Sequence, residues 1–365
     1  MPVNTTNDYI TSSELDMVIE ASRGLKIFGD GTPKALDRIK SAGFEMAAAA
    51  APKSTVKSIQ GGFEFKVKGN RNQRHRWYHG SKKLKFEHHA TPFNFKFYVG
   101  KGQFGNMTLN DALERAGIFV KLSTEIREGA VPHDMQTVIF NVLKEERDDI
   151  EYAAKFDLAR RFWTANTDET DCFFGMETLY PSTGNTAGNF GGVSRTNPLA
   201  RHQLITGVTG DNVRTALEQM ERLIGDAGGE TKAYIAGDNW FDMLSLLFQG
   251  STTLAGKMEI QVPYGSGNEK KITVGLGKDS FVGPNGILIT RDQMFRKLDA
   301  LENPAVLYAN RLYALDFDSL FVLPERHNEF VNHGMPYDQM VNYSSLFNSL
   351  CIAGNNPAAQ GLLLM

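Results

Sequence analysis

The chain has 365 residues, 41% of them hydrophobic and 22% charged, with a formal net charge of −3. This is the composition of an ordinary folded protein with room for a large core and more than one folding unit. The charge balance excludes a surface that is basic throughout, no apolar run of about 18 residues is present to cross a membrane, and the opening Met-Pro-Val-Asn-Thr-Thr-Asn-Asp has neither the basic nor the apolar part of a secretory signal.

Residues 1–62 read as an arm with short helices and no core of its own. Ser12 and Ser13 can cap a helix through Leu15, Val18 and Ile19, and a second candidate runs from Thr32-Pro33 to Ile39. The alanines 47–51 and Pro52 follow. The pattern then switches to period two. Phe63, Phe65 and Val67 alternate with Glu64, Lys66 and Lys68; Leu84 and Phe86 alternate with lysines; Phe93, Phe95, Phe97 and Val99 alternate with Asn94 and Lys96. Alternation of this kind predicts strands with one apolar and one polar face. With the basic segment between them, the strands make a long charged hairpin.

The longest predicted helix opens near Pro132 and Asp134 and runs to Thr164. Its apolar positions are Val138, Ile139, Val142, Leu143, Ile150, Ala153, Phe156, Ala159 and Phe162 or Trp163, with Glu151–Lys155 in the favourable i,i+4 order. Residues 175–198 are rich in glycine and polar residues and read as loops and short strands. Asp211 is the expected cap of a helix whose inward face is Val213, Ala216, Leu217, Met220, Leu223 and Ile224, with Gly225 just past its end. Ala233–Ala236 reads as a strand and Asp238 as the cap of a helix through Trp240, Phe241, Leu244 and Leu247. From Met258 on, short strands and turns dominate, with a helix over 291–301.

Gly100-Lys101-Gly102-Gln103-Phe104-Gly105 matches the glycine pattern of a dinucleotide-binding turn, with Glu125 downstream. That turn needs a buried parallel strand before it and a helix opening within it. Here the preceding strand alternates and no helix starts, so the expected role is a flexible joint. A nucleotide-binding enzyme therefore rests on this motif alone. No GxxxxGK[ST], GxSxG or HExxH occurs, and His75, His79, His88 and His89 lack the cysteines or carboxylate spacing of a metal site. No catalytic, cofactor-binding or metal-binding residues are expected, and Cys172 and Cys351 read as reduced thiols of a cytoplasmic product.

The strongest charge feature is the hairpin cluster of Lys66, Lys68, Arg71, Arg74, Arg76, Lys82, Lys83 and Lys85 around Trp77 and Tyr78. Cations and aromatics together can bind single-stranded nucleic acid. The favoured partner is an acidic face on a second copy, supplied by Glu145, Glu146, Asp148 and Asp149. An isolated hairpin is marginal in water, so its phenylalanines are expected to be covered by a neighbouring copy. The resulting contact candidates are Phe65, Arg74, Arg76, Trp77, Lys82, Lys83, Lys85, Phe95, Glu145, Glu146 and Asp148.

The order of these features resembles the major capsid protein of tailed bacteriophages, the Hong Kong 97 type. Trp77-Tyr78 through Phe97 matches the extended loop and 134–164 the spine helix. Asn189-Phe190-Gly191-Gly192-Val193-Ser194-Arg195 matches the segment after that helix, and 350–361, with its Asn-Pro turn, the terminal strand. The resemblance implies an α+β fold with an N-terminal arm (1–62), an extended hairpin loop (63–108), a peripheral domain (109–205), an axial domain (206–310) and closing strands returning to the peripheral domain (311–365). It also implies hexamers and pentamers in an icosahedral shell around packaged double-stranded DNA, held by non-specific contact. The virion capsid would be assembled in the host bacterial cytoplasm with no membrane partner. Residues 1–62 are too short for a built-in scaffold, so a separate scaffolding protein is expected beside a portal and a decoration protein. An encapsulin-like compartment shell shares the fold and is the alternative.

Overall fold

The computed structural model describes residues 9–11, 41–49, 62–67, 93–108, 119–121, 149–166, 172–248, 258–264, 268–274, 280–282, 286–334 and 343–365. In chain order the first elements are β1 (Tyr9–Thr11), α1 (Ala42–Ala49), β2 (Gly62–Val67), β3 (Phe93–Tyr98), β4 (Gly100–Thr108) and β5 (Phe119–Lys121). A helix α2 over 149–163, the single turn α3 (Met176–Leu179), β6 (Asn189–Phe190), β7 (Val193–Ser194), β8 (Gln203–Ile205), α4 (Val213–Asp226), β9 (Ala233–Ala236) and α5 (Asp238–Phe248) follow. Then come β10 (Met258–Tyr264), β11 (Asn268–Val274), β12 (Ser280–Val282), β13 (Leu288–Arg291), α6 (Gln293–Glu302), β14 (Arg311–Leu315), β15 (Leu320–Gly334), β16 (Tyr343–Gly354) and β17 (Gly361–Leu364).

The chain forms two compact units. One takes Met1–Arg38, Lys101–Leu158 and Pro324–Ser349. In it β1 pairs in parallel with β5, and β15, β16 and β4 lie side by side in that order. Gln103 Nε2 donates to Ser345 Oγ at 2.9 Å, tying β4 to β16.

The second unit, Ile39–Gly100, Ala159–Leu323 and Leu350–Met365, is built on a six-stranded mixed sheet ordered β12-β13-β9-β14-β17-β8. β9 runs parallel to β13 and antiparallel to β14, while β17 is antiparallel to β14 and parallel to β8. Every residue of β9, β14 and β17 is buried, as expected for strands covered on both faces. One face carries α4 and α5. Val213, Ala216, Leu217, Met220 and Ile224 of α4, at helical spacing, share a core with Trp240, Phe241 and Leu244 of α5 and with Tyr234, Ile289, Leu312, Ala314 and Leu363 of the sheet. The helix comes close because β17 opens on glycine: a methyl at Gly361 would meet Met220 Sδ at 2.4 Å. On the other face, alternate strand residues meet an aromatic layer. Tyr313 lies 4.8 Å from Trp163 and 5.8 Å from Phe295, centroid to centroid.

β14 and β17, from the expected closing strands, lie in the same sheet as β9, where β14 pairs with β9 and β17 with β8. Three expectations change. Segment 41–49 is built into a core, with Met46 and Ala47 buried and Phe44 edge-on to Phe162 at 5.6 Å. In α2 the expected Ala159, Phe162 and Trp163 are buried, but Ala154 and Leu158 join them in place of Ala153, which is exposed. Asn212, not Asp211, precedes α4, and Gly225 lies inside its last turn. The helix candidates before residue 40, the half of the long helix before residue 149 and the hairpin residues 68–92 lie outside the described residues.

Candidate assembly surface

The root of the hairpin is antiparallel, with Phe63 opposite Phe97, Phe65 opposite Phe95 and Val67 opposite Phe93. Period two puts Phe63, Phe65, Phe95 and Phe97 on one face. This face packs in part against its own chain. Phe97 is fully buried, 4.9 Å from Phe95 and 6.2 Å from Phe190, centroid to centroid. Phe65 stacks on Phe321 at 5.6 Å and Phe95 on Phe174 at 6.5 Å. Offset and edge-to-face partners within the same unit pack on these rings, while Phe65 and Phe95 remain half-buried. The opposite face presents Glu64 facing Lys96 across the strands, exposed Lys66, and Tyr98, which is 57% exposed.

The remaining contact candidates, Arg74, Arg76, Trp77, Lys82, Lys83, Lys85, Glu145, Glu146 and Asp148, lie outside the described residues, as do His75, His79, His88 and His89. Only Phe65 and Phe95 of the set are brought together, as opposite members of one register pair. The glycine-rich motif begins at Gly100 and runs along β4, a strand within a sheet. A strand has no helix N-terminus to receive a pyrophosphate, so the dinucleotide-turn reading of this motif fails on geometry. Among the described residues no group of three His, Cys, Asp or Glu side chains could hold a metal ion, and no helix is long and apolar enough to cross a membrane. Both cysteines are free thiols, Cys351 buried and Cys172 partly so.

Sequence reasoning missed three buried polar centres in the second unit. Arg311 donates through Nη1 to Glu177 Oε2 at 2.5 Å and through Nε and Nη2 to the Val306 carbonyl, with its guanidinium over the Tyr308 ring at 3.9 Å. Glu177 Oε1 in turn accepts from the Ser182 backbone and hydroxyl, so both carboxylate oxygens are engaged. The second centre follows the hairpin root. Buried Arg195 donates to the Thr178 and Leu179 carbonyls and lies over Phe190, while Tyr180 stacks on that ring and meets His202 edge-on. Burial, followed by the Arg195 charge, pushes the His202 imidazolium down to about 3, so this histidine is neutral. The third is Asp292, at the N-terminus of α6 and fully buried. Its Oδ1 accepts from the Met294 N–H and its Oδ2 from the Ser41 hydroxyl and the Gly43 N–H. The first and third join residues 134 and 251 positions apart in sequence, and no local spacing announces any of them. The one local signal is an aspartate ahead of a helical pattern at 292.

No family model matches the sequence, and no curated protein matches it. Solved structures do. The chain is similar to a subunit of the cyanophage A-1(L) capsid asymmetric unit, with 14% identity over 93% of this chain and 96% of that one and a TM-score of 0.56. It is also similar to a chain of Mycobacterium phage Bobi, with 8% identity over 96% and 97% of the two chains and a TM-score of 0.50. At such identities it is the fold that is shared. The chain has the mixed α and β capsid fold of the Hong Kong 97 type, over nearly its whole length.

Proposed function

We propose that this chain is the major capsid protein of a tailed bacteriophage, forming hexamers and pentamers that close into an icosahedral head around double-stranded DNA. The observation carrying this reading is the end-to-end correspondence with a phage capsid subunit, 93% of this chain against 96% of that one. Partial overlap would be compatible with a borrowed domain; correspondence of two whole chains favours a shared task. The acidic balance of the sequence agrees with a shell that meets DNA by local, non-specific contact.

In this reading the aromatic root of the hairpin fixes the direction in which its basic part leaves the subunit. Phe65 and Phe95, half-buried against rings of their own chain, offer their remaining surface to the next copy. Arg74, Arg76, Trp77, Lys82, Lys83 and Lys85 dock on the Glu145, Glu146 and Asp148 face of the next copy, where opposite charges select register. A separate scaffolding protein, a portal and a decoration protein complete the head, which is built in the host cytoplasm. The protein has no catalytic role.

Co-expression with the phage scaffold, followed by sedimentation and electron microscopy, tests the proposal. Closed particles or capsomers are expected; a stable monomer under all assembly conditions overturns it. Charge reversal at Lys82, Lys83 and Lys85 should leave a folded subunit that assembles poorly at low salt.

A further inference from the structure

The first residues of segment 41–49 are tied to the core of the second unit by a cluster of hydrogen bonds, beside the packing of Phe44, Met46 and Ala47. Ser41 Oγ donates to Asp292 Oδ2 at 2.9 Å, the Gly43 N–H reaches the same oxygen at 3.3 Å, and Trp163 Nε1 donates to Ser41 Oγ at 3.0 Å. Gly43 lies so close to the Trp163 ring that a methyl there would fall 2.3 Å from it. Asp292 and Ser41 are 251 residues apart, so this joint is a tertiary clasp with no local chain support. The carboxylate is fully buried, and no cation is among its hydrogen-bond partners.

We propose that segment 41–48 is a strap that docks on the core in a step of its own, with Asp292 as a proton-sensitive clasp that holds the strap more tightly when its carboxyl is protonated. Docking covers Asp292, which removes water from the carboxylate and disfavours its charge. Undocking returns water to it. The docked and undocked states therefore bind the proton with different strength, and by linkage proton uptake favours docking. In the docked state burial pushes the Asp292 carboxyl up to about 6, against opposing hydrogen bonds from Met294, Ser41, Gly43 and Trp163. The sign follows: strap protection is greatest below the free carboxyl's ordinary range and declines as pH rises through about 6.

Charged neighbours on the packed elements are otherwise engaged or turned outward. Arg291, next in sequence, lies 3.7 Å from Asp238 and over the Phe241 ring. Arg160 of α2 pairs with Glu302 of α6, and Arg161 of the same helix is buried. Asp299 accepts from the Tyr308 and Ala309 backbone. On the strap itself Glu45 is exposed, as is Arg296 on α6, and Lys297 is half-buried. On β14, Arg311 is paired with Glu177. None of these is among the groups that bond Asp292.

Hydrogen exchange of the 41–48 peptide in the unassembled full-length subunit, corrected for the intrinsic pH dependence of exchange, tests the clasp between pH 7.5 and 4.5. Wild type should gain protection as pH falls across this range, by about thirtyfold. Asp292→Asn should hold the strap with no pH dependence, and Glu45→Gln, which removes the exposed carboxylate of the same segment, should behave as wild type. A flat wild-type profile, or one that survives in Asp292→Asn, overturns the proposal. Should Asp292→Asn fail to fold, Ser41→Ala decides. Removing a donor to the ionised carboxylate should move the midpoint to higher pH, and an unmoved midpoint would sink the idea.

Discussion

Arg311 and Glu177, 134 residues apart in the chain, form an ion pair in which the arginine side chain is 2% exposed and the glutamate 19%. The pair joins the middle strand of the six-stranded sheet to the turn α3 ahead of the glycine-rich stretch. Losing one member leaves the other charge buried and uncompensated, which is costly, whereas replacing both with apolar groups can be nearly neutral. Glu177→Ala should therefore destabilise the subunit by about 3 kcal/mol. Glu177→Met with Arg311→Met should recover a large part of that loss. Chemical denaturation of unassembled subunits measures both.

The hairpin root gives a second test. Because Phe97 is fully buried against Phe95 and Phe190, Phe97→Ala removes a packed ring from a core and should cost about 3–5 kcal/mol. The deficit should appear in the isolated subunit, as lost solubility or a lower unfolding midpoint. A defect confined to assembly, with normal subunit stability, would mean that Phe97 is held by a neighbouring copy and not by its own core.

How far the sequence could be read depends on whether a residue's neighbours are local. The inward face of α4 was legible because Val213, Ala216, Leu217, Met220 and Ile224 all follow one helical period. The alternation in Phe63–Val67 and Phe93–Val99 likewise gave the correct strands and face, since period two is a property of each strand alone. What covers that face was not legible, because Phe174, Phe190 and Phe321 come from distant segments. β17 reads Gly-Leu-Leu-Leu with no alternation, the mark of a strand covered on both faces, and its partners at Gln203–Ile205 and Arg311–Leu315 cannot be deduced from its own letters. The candidate docking residues could be nominated from charge, but the clasp at Asp292 depends on Ser41, 251 residues away.

Two glycines separate conformational from steric need. Gly225 sits in the last turn of α4 with nothing within 4 Å of the place a methyl would take, so Gly225→Ala should stabilise the subunit by up to about 1 kcal/mol. Gly237, between β9 and α5, faces backbone: a methyl would lie 2.2 Å from the Tyr308 carbonyl oxygen and 2.5 Å from that of Ala309. Gly237→Ala should cost several-fold more than the other substitution gains. Thermal unfolding of the two variants side by side checks the contrast.

His202 sets an acid limb opposite in sign to Asp292. Its imidazole is held neutral down to about pH 3, while in the unfolded chain it takes a proton near 6.5. A depressed value means stability that is present above 6.5 and lost progressively as pH falls toward 3. At pH 5 the loss is about 2 kcal/mol. A His202→Gln subunit should show a shallower fall in stability between pH 6.5 and 4 than wild type. Equal slopes would mean that water reaches the imidazole in the folded state. Because Asp292 gains stability over part of the same interval, global unfolding blurs the two, and only a local probe such as exchange in the strap separates them.

The register of α2 supplies the sharpest test of the fold. The sequence suggested an inward stripe through Ile150, Ala153, Phe156, Ala159 and Phe162 or Trp163; Ala159, Phe162 and Trp163 are buried, but earlier in the helix the buried apolar positions are Ala154 and Leu158, and Ala153 is exposed. The polar residues on the helix explain the difference. Glu151 and Arg161 are each only 7% exposed, and Lys155 lies 3.8 Å from Glu151, so ionic groups share the inward side and disguise its period. Ala154→Asp and Ala153→Asp make the same chemical change one residue apart, with the same loss of helix propensity. Ala154→Asp places a carboxylate where no water reaches and should leave the subunit unfolded or insoluble. Ala153→Asp adds a charge to an exposed position and should change stability by less than about 1 kcal/mol. Soluble, folded Ala154→Asp protein, or the reverse ranking of the two variants, would return the stripe to Ala153 and undo the packing assigned to α2.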